Sequence, residues 1–235
     1  MQSMKIEKPV QLRDQVYSRV KRALLEGIYS QGERVTEDKI AMHLGVSRTP
    51  VREALRLLEE LGFLDSRPSG GYSVPMLKEE NIVDFIEVRL LLEPRVMQKA
   101  VKSATDEQLA ELELSLSQAR TTAKGRDVFE FYACIQDFWE RFWLTSGSAG
   151  LYACLMKLTE QYHYQYLSAI ALDNVEVRLG LVDFLADLQR HLANRDSKKG
   201  VETIKTHLKF KKKELLRVID ALNAKTSQDD GDAKK

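Results

Sequence analysis

The stretch SRTPVREALRLLEELGFL, residues 47–64, carries the most specific chemistry in the chain. Arg48 and Arg52 stand four residues apart, so on a helix they project from one side. A guanidinium can bridge O6 and N7 of guanine, a contact worth about 1–3 kcal/mol of discrimination. The hydroxyls of Ser47 and Thr49, with the unpaired N–H groups of a helix start, suit phosphate oxygens. Behind this polar first turn, Val51, Ala54, Leu55, Leu58 and Leu61 recur at helical spacing and need a core to pack on. A second basic group follows in FLDSRPSGGYSVPM: Arg67 beside Gly70 and Gly71, positioned to reach a nucleic-acid backbone or minor groove. An arginine pair on a capped amphipathic helix is more often a solvated face. Helix, tight turn, proline-bearing first turn and glycine-tipped hairpin in this order fit a groove-reading module instead.

Candidate chemistry in the rest of the chain is sparser. Arg89 can anchor a carboxylate through a bidentate pair, or it can simply pair with Glu93 one turn away. Both remain open from sequence. The aromatic run Tyr162, His163, Tyr164, Tyr166 is expected to pack between helices. KFKKKE at 209–214 is expected to be a solvated face. No paired carboxylates, Cys–His or Ser–His set, phosphate loop or dinucleotide fingerprint is legible, so an enzyme is not expected.

The elements that must position these groups follow from periodicity. Leu12, Val16, Val20, Leu24 and Leu25 predict a helix stopped by Gly27. Thr36 caps a short helix with Ile40, Ala41 and Leu44 inward, and Gly45 makes the turn. Ser47 caps the next helix, ended by Gly62, and Pro50 is tolerated in its first turn. Phe63, Leu64, Tyr72 and Val74 around RPSGG predict a small hairpin. From Lys78 on, all periodicity is helical, with helices expected at 78–102, 105–122, 127–145, 149–171, 174–194 and 197–223. Thr105 and Gln108 form a capping-box pattern. The fold class is mainly α: a winged helix-turn-helix over 1–76, then an all-helical bundle of about six helices over 77–223. Residues 1–9 are expected to be a loose arm and 224–235 a disordered tail.

Bulk composition is permissive. A hydrophobic fraction of 43 % supports packed cores, and a net charge of +1 argues for no partner. Cys134 and Cys154 give no disulfide framework. No apolar run approaches the roughly 20 residues of a membrane span, so no membrane association and a cytoplasmic location are expected.

LGVSRTPVREALRLLEELGFLDSRPSGGYSV resembles the winged-helix motif of the GntR family of bacterial transcription regulators. The resemblance implies that Arg48, Thr49 and Arg52 read an operator, Ser47 holds phosphate, and Gly70 and Gly71 form the wing. FIEVRLLLEPRVMQKAV (85–101), FWERFWLTSGSAGLY (138–152) and THL (206–208) are similar to the helical effector domain of the FadR-type subfamily, with Arg89 and Glu93 at recurrent positions. Many of those members hold a divalent metal with one Asp and three His. The matching places here fall near Ile135, Trp139 and Leu185, which cannot ligate, leaving His207. One imidazole does not hold a metal that wants three or four ligands, so neither metal nor cofactor is expected. Asp137, His163 and His191 could serve only in a shifted register.

The resemblance therefore implies a ligand-responsive repressor. It would bind a palindromic operator in double-stranded DNA as a homodimer. A small organic acid or acyl effector would lie against Arg89, Trp139 and His207. The other reading is a constitutive DNA-binding regulator whose helical domain only dimerises.

Overall fold

A computed structural model describes residues 11–232, without the side chains of 162–164 and 223–232. The N-terminal arm, the last three residues and the aromatic side chains of Tyr162, His163 and Tyr164 thus lie outside the described residues. The chain divides into two compact units. One runs through Leu77 and includes Gln161–Tyr166. The other comprises Lys78–Glu160 and the residues from Leu167 onward.

In the first unit, α1 (Leu12–Leu25) precedes β1 (Arg34–Val35), α2 (Glu37–Leu44), α3 (Arg48–Glu60), β2 (Asp65–Ser66) and β3 (Tyr72–Ser73). Helix α1 packs on α3. Val16, Val20 and Leu24 on α1 are buried, as are Val51, Ala54, Leu55 and Leu58 on α3. Deleting any one of these leucines to Ala costs about 2–5 kcal/mol by transfer and cavity terms. Leu12, expected inward, is instead 47 % exposed, because the buried stripe begins only at Val16. The Thr36 hydroxyl accepts from the Lys39 N–H at 3.3 Å, and Gly45 takes a left-handed φ of 65° at the end of α2. Ser47 stands at the N-cap of α3, but its side chain makes no cap hydrogen bond. The expected hairpin gains a third strand. β3 lies between β1 and β2, both antiparallel to it, with Arg34 opposite Ser73 and Ser66 opposite Tyr72.

From Lys78 on, every described element is a helix: α4 (Glu79–Ser103), α5 (Asp106–Thr122), α6 (Val128–Leu144), α7 (Ala149–Thr159), α8 (Tyr162–Ala171, of which the residues through Tyr166 fall in the first unit), α9 (Val175–Ala193) and α10 (Ser197–Asp232). Seven helices stand where six were expected, because 149–171 breaks after Thr159. The Thr159 hydroxyl donates to the Leu155 and Met156 carbonyls at 3.1 Å each, competing with the backbone ladder at the turn's end. Helix α10 runs beyond the expected end at 223. Extending an already packed helix adds one bond per residue without a new nucleus. The Thr105–Gln108 capping box is formed, and Asp127 and Asn174 cap α6 and α9.

Helix α6 supplies the aromatic centre, with Phe131, Phe138, Phe142, Trp139 and Trp143 all buried. Helix α10 packs along α4, and Gly200 makes that approach possible: a Cβ there would fall 1.9 Å from Met97 Cε. Buried Arg178 ties loop ends together. It donates to the carbonyls of Ala123 (2.6 Å), Gly125 (3.0 Å), Leu172 (2.6 Å) and Asp173 (3.2 Å). These are carbonyls at helix C-terminal ends, which lack intrahelical partners.

Candidate functional site

Helix α3 has a fully buried back and an open front. Ser47, Arg48, Thr49 and Arg52 are all exposed at its N-terminal end. Neither arginine is idle. Arg48 Nε lies 2.6 Å from Asp38 Oδ1. Arg52 grips Glu37 side-on: Nε donates to both carboxylate oxygens at 2.9 and 3.1 Å, and Nη2 to one at 2.8 Å. The Arg52 hydrogen bonds hold the Glu37 carboxyl below the usual carboxylate range, and the same contact raises the guanidinium. Side-chain exposures of 67 % for Arg48, 64 % for Asp38 and 52 % for Arg52, against 25 % for Glu37, leave the guanidiniums facing water.

A groove of about 460 Å³ runs between these side chains and the wing, and Arg34, Arg67 and Gly71 also line it. Arg34 on β1 donates to the Gly70 carbonyl at 3.1 Å. Gly71 has φ of 79°, and a Cβ there would lie 3.2 Å from the Val35 carbonyl oxygen, so the wing closes on β1 only with glycine. The structure thus gathers the seven residues singled out from sequence on α3 and the adjoining wing. The place of Arg34 and the pairing of Glu37 and Asp38 with the arginines of α3 were not legible in the sequence.

Residues 12–74 match the family model of gntR-type bacterial regulatory proteins, and residues 84–210 match the FCD domain. The chain belongs to the GntR family. It is 31 % identical over 141 residues to the HTH-type transcriptional regulator YdhC of Bacillus subtilis, covering 60 % of this chain and 63 % of that protein. It is 29 % identical over 108 residues to the gluconate operon transcriptional repressor of Bacillus licheniformis, covering 46 % and 44 %. The chain spans less than two thirds of the length of either relative. Among solved structures, Escherichia coli McbR/YncC shares the fold, with a TM-score of 0.71 at 24 % identity over 89 % of this chain and 99 % of that one.

In the FCD domain the three residues proposed from sequence lie in one series, Arg89 against Trp139 and Trp139 tilted against His207. The Arg89 guanidinium lies 4.9 Å from the Trp139 ring, whose centroid is 6.4 Å from that of His207. His207 in turn stacks on Phe184 at 3.7 Å and 8°. Arg89 is sealed inside and donates from Nε to Glu93 Oε1 at 2.6 Å, with Nη2 at 2.5 Å from the same oxygen. The intrahelical pair is therefore formed. Burial pushes the Glu93 carboxyl up, and Arg89 opposes the rise. Burial also holds the His207 imidazole well below its ordinary value, with repulsion from Lys211 and Arg89 adding to it.

His207 opens onto a groove of about 630 Å³ between α9 and α10. Leu181, Phe184 and Leu215 give it apolar surface, and Asp183, Asp187 and Lys211 give charges of both signs. Arg89 and Trp139 do not line it. A ligand in this groove therefore does not meet Arg89 or Trp139. On α9 the groove uses Asp183, Asp187 and His191. The residues at the places of the subfamily's metal ligands do not fit a metal. Ile135 and Leu185 are buried apolar groups, and the Trp139 ring faces a guanidinium. Among the described residues, no group of three or more His, Cys, Asp or Glu side chains is placed to hold an ion. No helix of the described residues is long and apolar enough to cross a membrane.

Proposed function

We propose that the protein is a sequence-specific, ligand-responsive DNA-binding regulator with no catalytic role. The observation that carries this is the start of α3: two exposed guanidiniums on a helix whose back is fully buried, beside a glycine-tipped wing. Arg48 and Arg52 read guanines, Thr49 adds a hydroxyl at the bases, and Ser47 holds phosphate with a side chain not spent on capping its own helix. Arg67 and the Gly70–Gly71 tip meet the backbone or minor groove. Two such helices reach successive major grooves about 34 Å apart, which calls for a two-fold dimer on a palindrome. Repression is the sense supported by the name of the Bacillus licheniformis relative. A cytoplasmic location goes with that work.

The FCD groove at His207 is the entry for an organic acid or acyl effector. Such a ligand acts only by binding the DNA-competent and incompetent arrangements with different affinity, and a coupling of about 1–3 kcal/mol shifts operator affinity 5- to 150-fold. A constitutive regulator whose FCD domain only dimerises is the rival; a ligand that raises the melting temperature by linkage excludes it.

The test is fluorescence-anisotropy binding to DNA from upstream of the protein's own gene, with a scrambled duplex beside it. Once native DNA binds tightly, Arg48→Ala/Arg52→Ala abolishes the preference while circular dichroism stays unchanged. A double variant that keeps wild-type affinity and preference refutes the proposal.

A further inference from the structure

Glu37 and Asp38 both face the arginines of α3, but they are used differently. Glu37 spends both oxygens on Arg52. Asp38 meets Arg48 Nε through Oδ1 at 2.6 Å, and among the described residues no hydrogen bond to Oδ2 is formed. Stability does not account for these contacts, since exposed ion pairs contribute about 0–1 kcal/mol. Acidity at a helix start does complement the dipole of α2, but that needs no contact with α3.

Guanidinium geometry supplies the reason. The fork has a side edge, Nε with one Nη, and an end edge formed by the two Nη groups. Glu37 occupies the side edge of Arg52, and Asp38 sits at Nε of Arg48. The end edge, which spans guanine O6 and N7, is left for a base in both cases. A carboxylate beside such an arginine fixes its aim. One with an oxygen to spare can also accept from the exocyclic amine of cytosine.

We infer that Asp38 is a specificity-determining residue of operator recognition. It meets Arg48 at Nε and steers it toward a guanine, and its second oxygen reads the N4 amine of a cytosine in a neighbouring base pair. Glu37, with no oxygen to spare, is a positioning residue for Arg52. The inference rests on the reading of α3 as the base-contacting helix. It also gives the acids a second effect: a carboxylate in the groove is repelled by phosphates, so it disfavours sequences that offer it no amine.

The experiment is selection from randomised duplexes by the full-length chain, followed by sequencing. Wild type is compared with Asp38→Ala, Asp38→Asn, Glu37→Gln, Arg48→Ala, Arg52→Ala and Arg48→Ala/Arg52→Ala. Asp38→Ala is expected to lose a C·G preference of about 5- to 150-fold at one pair next to the Arg48-dependent guanine, while the other positions persist. Asp38→Asn should shift that pair toward A·T, because Asn pairs with adenine. Glu37→Gln should weaken only the Arg52-dependent guanine. An Asp38→Ala profile identical to wild type, with the arginine variant stripped of preference, overturns the inference and leaves the reading of α3 intact. An Asp38→Ala profile identical to that of Arg48→Ala assigns Asp38 positioning alone and overturns the base contact. Wild-type preference in Arg48→Ala/Arg52→Ala overturns both.

Discussion

The Arg89–Glu93 pair gives a prediction whose sign depends on which partner is removed. Both side chains are buried, and Nε and Nη2 of Arg89 both meet one carboxylate oxygen of Glu93, with the guanidinium over Trp139. Replacing Glu93 with Leu removes the carboxylate from a buried guanidinium that cannot shed its charge, since arginine stays protonated throughout the accessible pH range. Breaking a buried ion pair by removing one partner costs about 3–5 kcal/mol. Replacing Arg89 with Met strands a carboxyl that burial already pushes toward its neutral form, so it can take up a proton. The remaining penalty is that of an unsatisfied neutral polar group, about 1–3 kcal/mol. Arg89→Met/Glu93→Leu removes both charges with roughly matched volume, and such exchanges are often neutral or stabilising. The chain's two tryptophans, Trp139 and Trp143, both lie on α6, so urea unfolding followed by tryptophan fluorescence reports this unit. Glu93→Leu should be the most destabilised of the three. Arg89→Met should be intermediate, and the double variant should lie within about 1 kcal/mol of wild type. The reasoning fails if Arg89→Met costs more than Glu93→Leu, or if the double variant costs the sum of the two.

Two further outcomes follow from other buried groups. Arg178→Met removes four donors from carbonyls that have no intrahelical partner, and should lower unfolding free energy by about 3 kcal/mol or more; a loss under 1 kcal/mol by the same assay contradicts the assigned role. His207 has a folded-state value below its ordinary one, so the unfolded chain binds more protons there as pH falls. Its stabilising contribution is therefore complete above about pH 6.5 and declines below it. His207→Gln should flatten the pH dependence of stability below that point, and an unchanged slope in paired urea titrations would rule this out.

Much of this architecture is legible in the sequence because short-range signals agree with tertiary needs. Thr36 and Thr105 cap helices where their side chains suggested, and Gly45 and Gly62 both take left-handed φ at helix ends. The front of α3 is equally plain, since polar, basic and proline residues interrupt a strong apolar stripe only at its first turn. What escaped was set by partners distant in sequence. β1 is two residues long, too short to show alternation, and exists only because β3 pairs with it. Arg178 sits on a helix face that reads as solvated, yet its partners lie in other loops. Gly200 reads as a weak spot in a helix until Met97 of α4 is set against it. The acids facing Arg48 and Arg52 escaped for the same reason. Their effect on the arginines depends on how α2 crosses α3, and residue types alone do not state that.

Those acid–arginine contacts bear on how binding should respond to ionic strength. The salt dependence of DNA binding counts the counterions released when basic groups neutralise phosphates. Arg48 and Arg52 are paired with Asp38 and Glu37 in the free protein, and under the proposed function they address bases rather than phosphates. With each carboxylate kept at its own edge of the guanidinium, a base taking the free edge releases no condensed cation. The slope of log affinity against log salt is then set by the phosphate-contacting residues alone, and these meet operator and random duplex alike. Raising salt weakens both complexes in parallel. The ratio between them, which decides how one operator is found among a genome of competing sites, stays nearly constant.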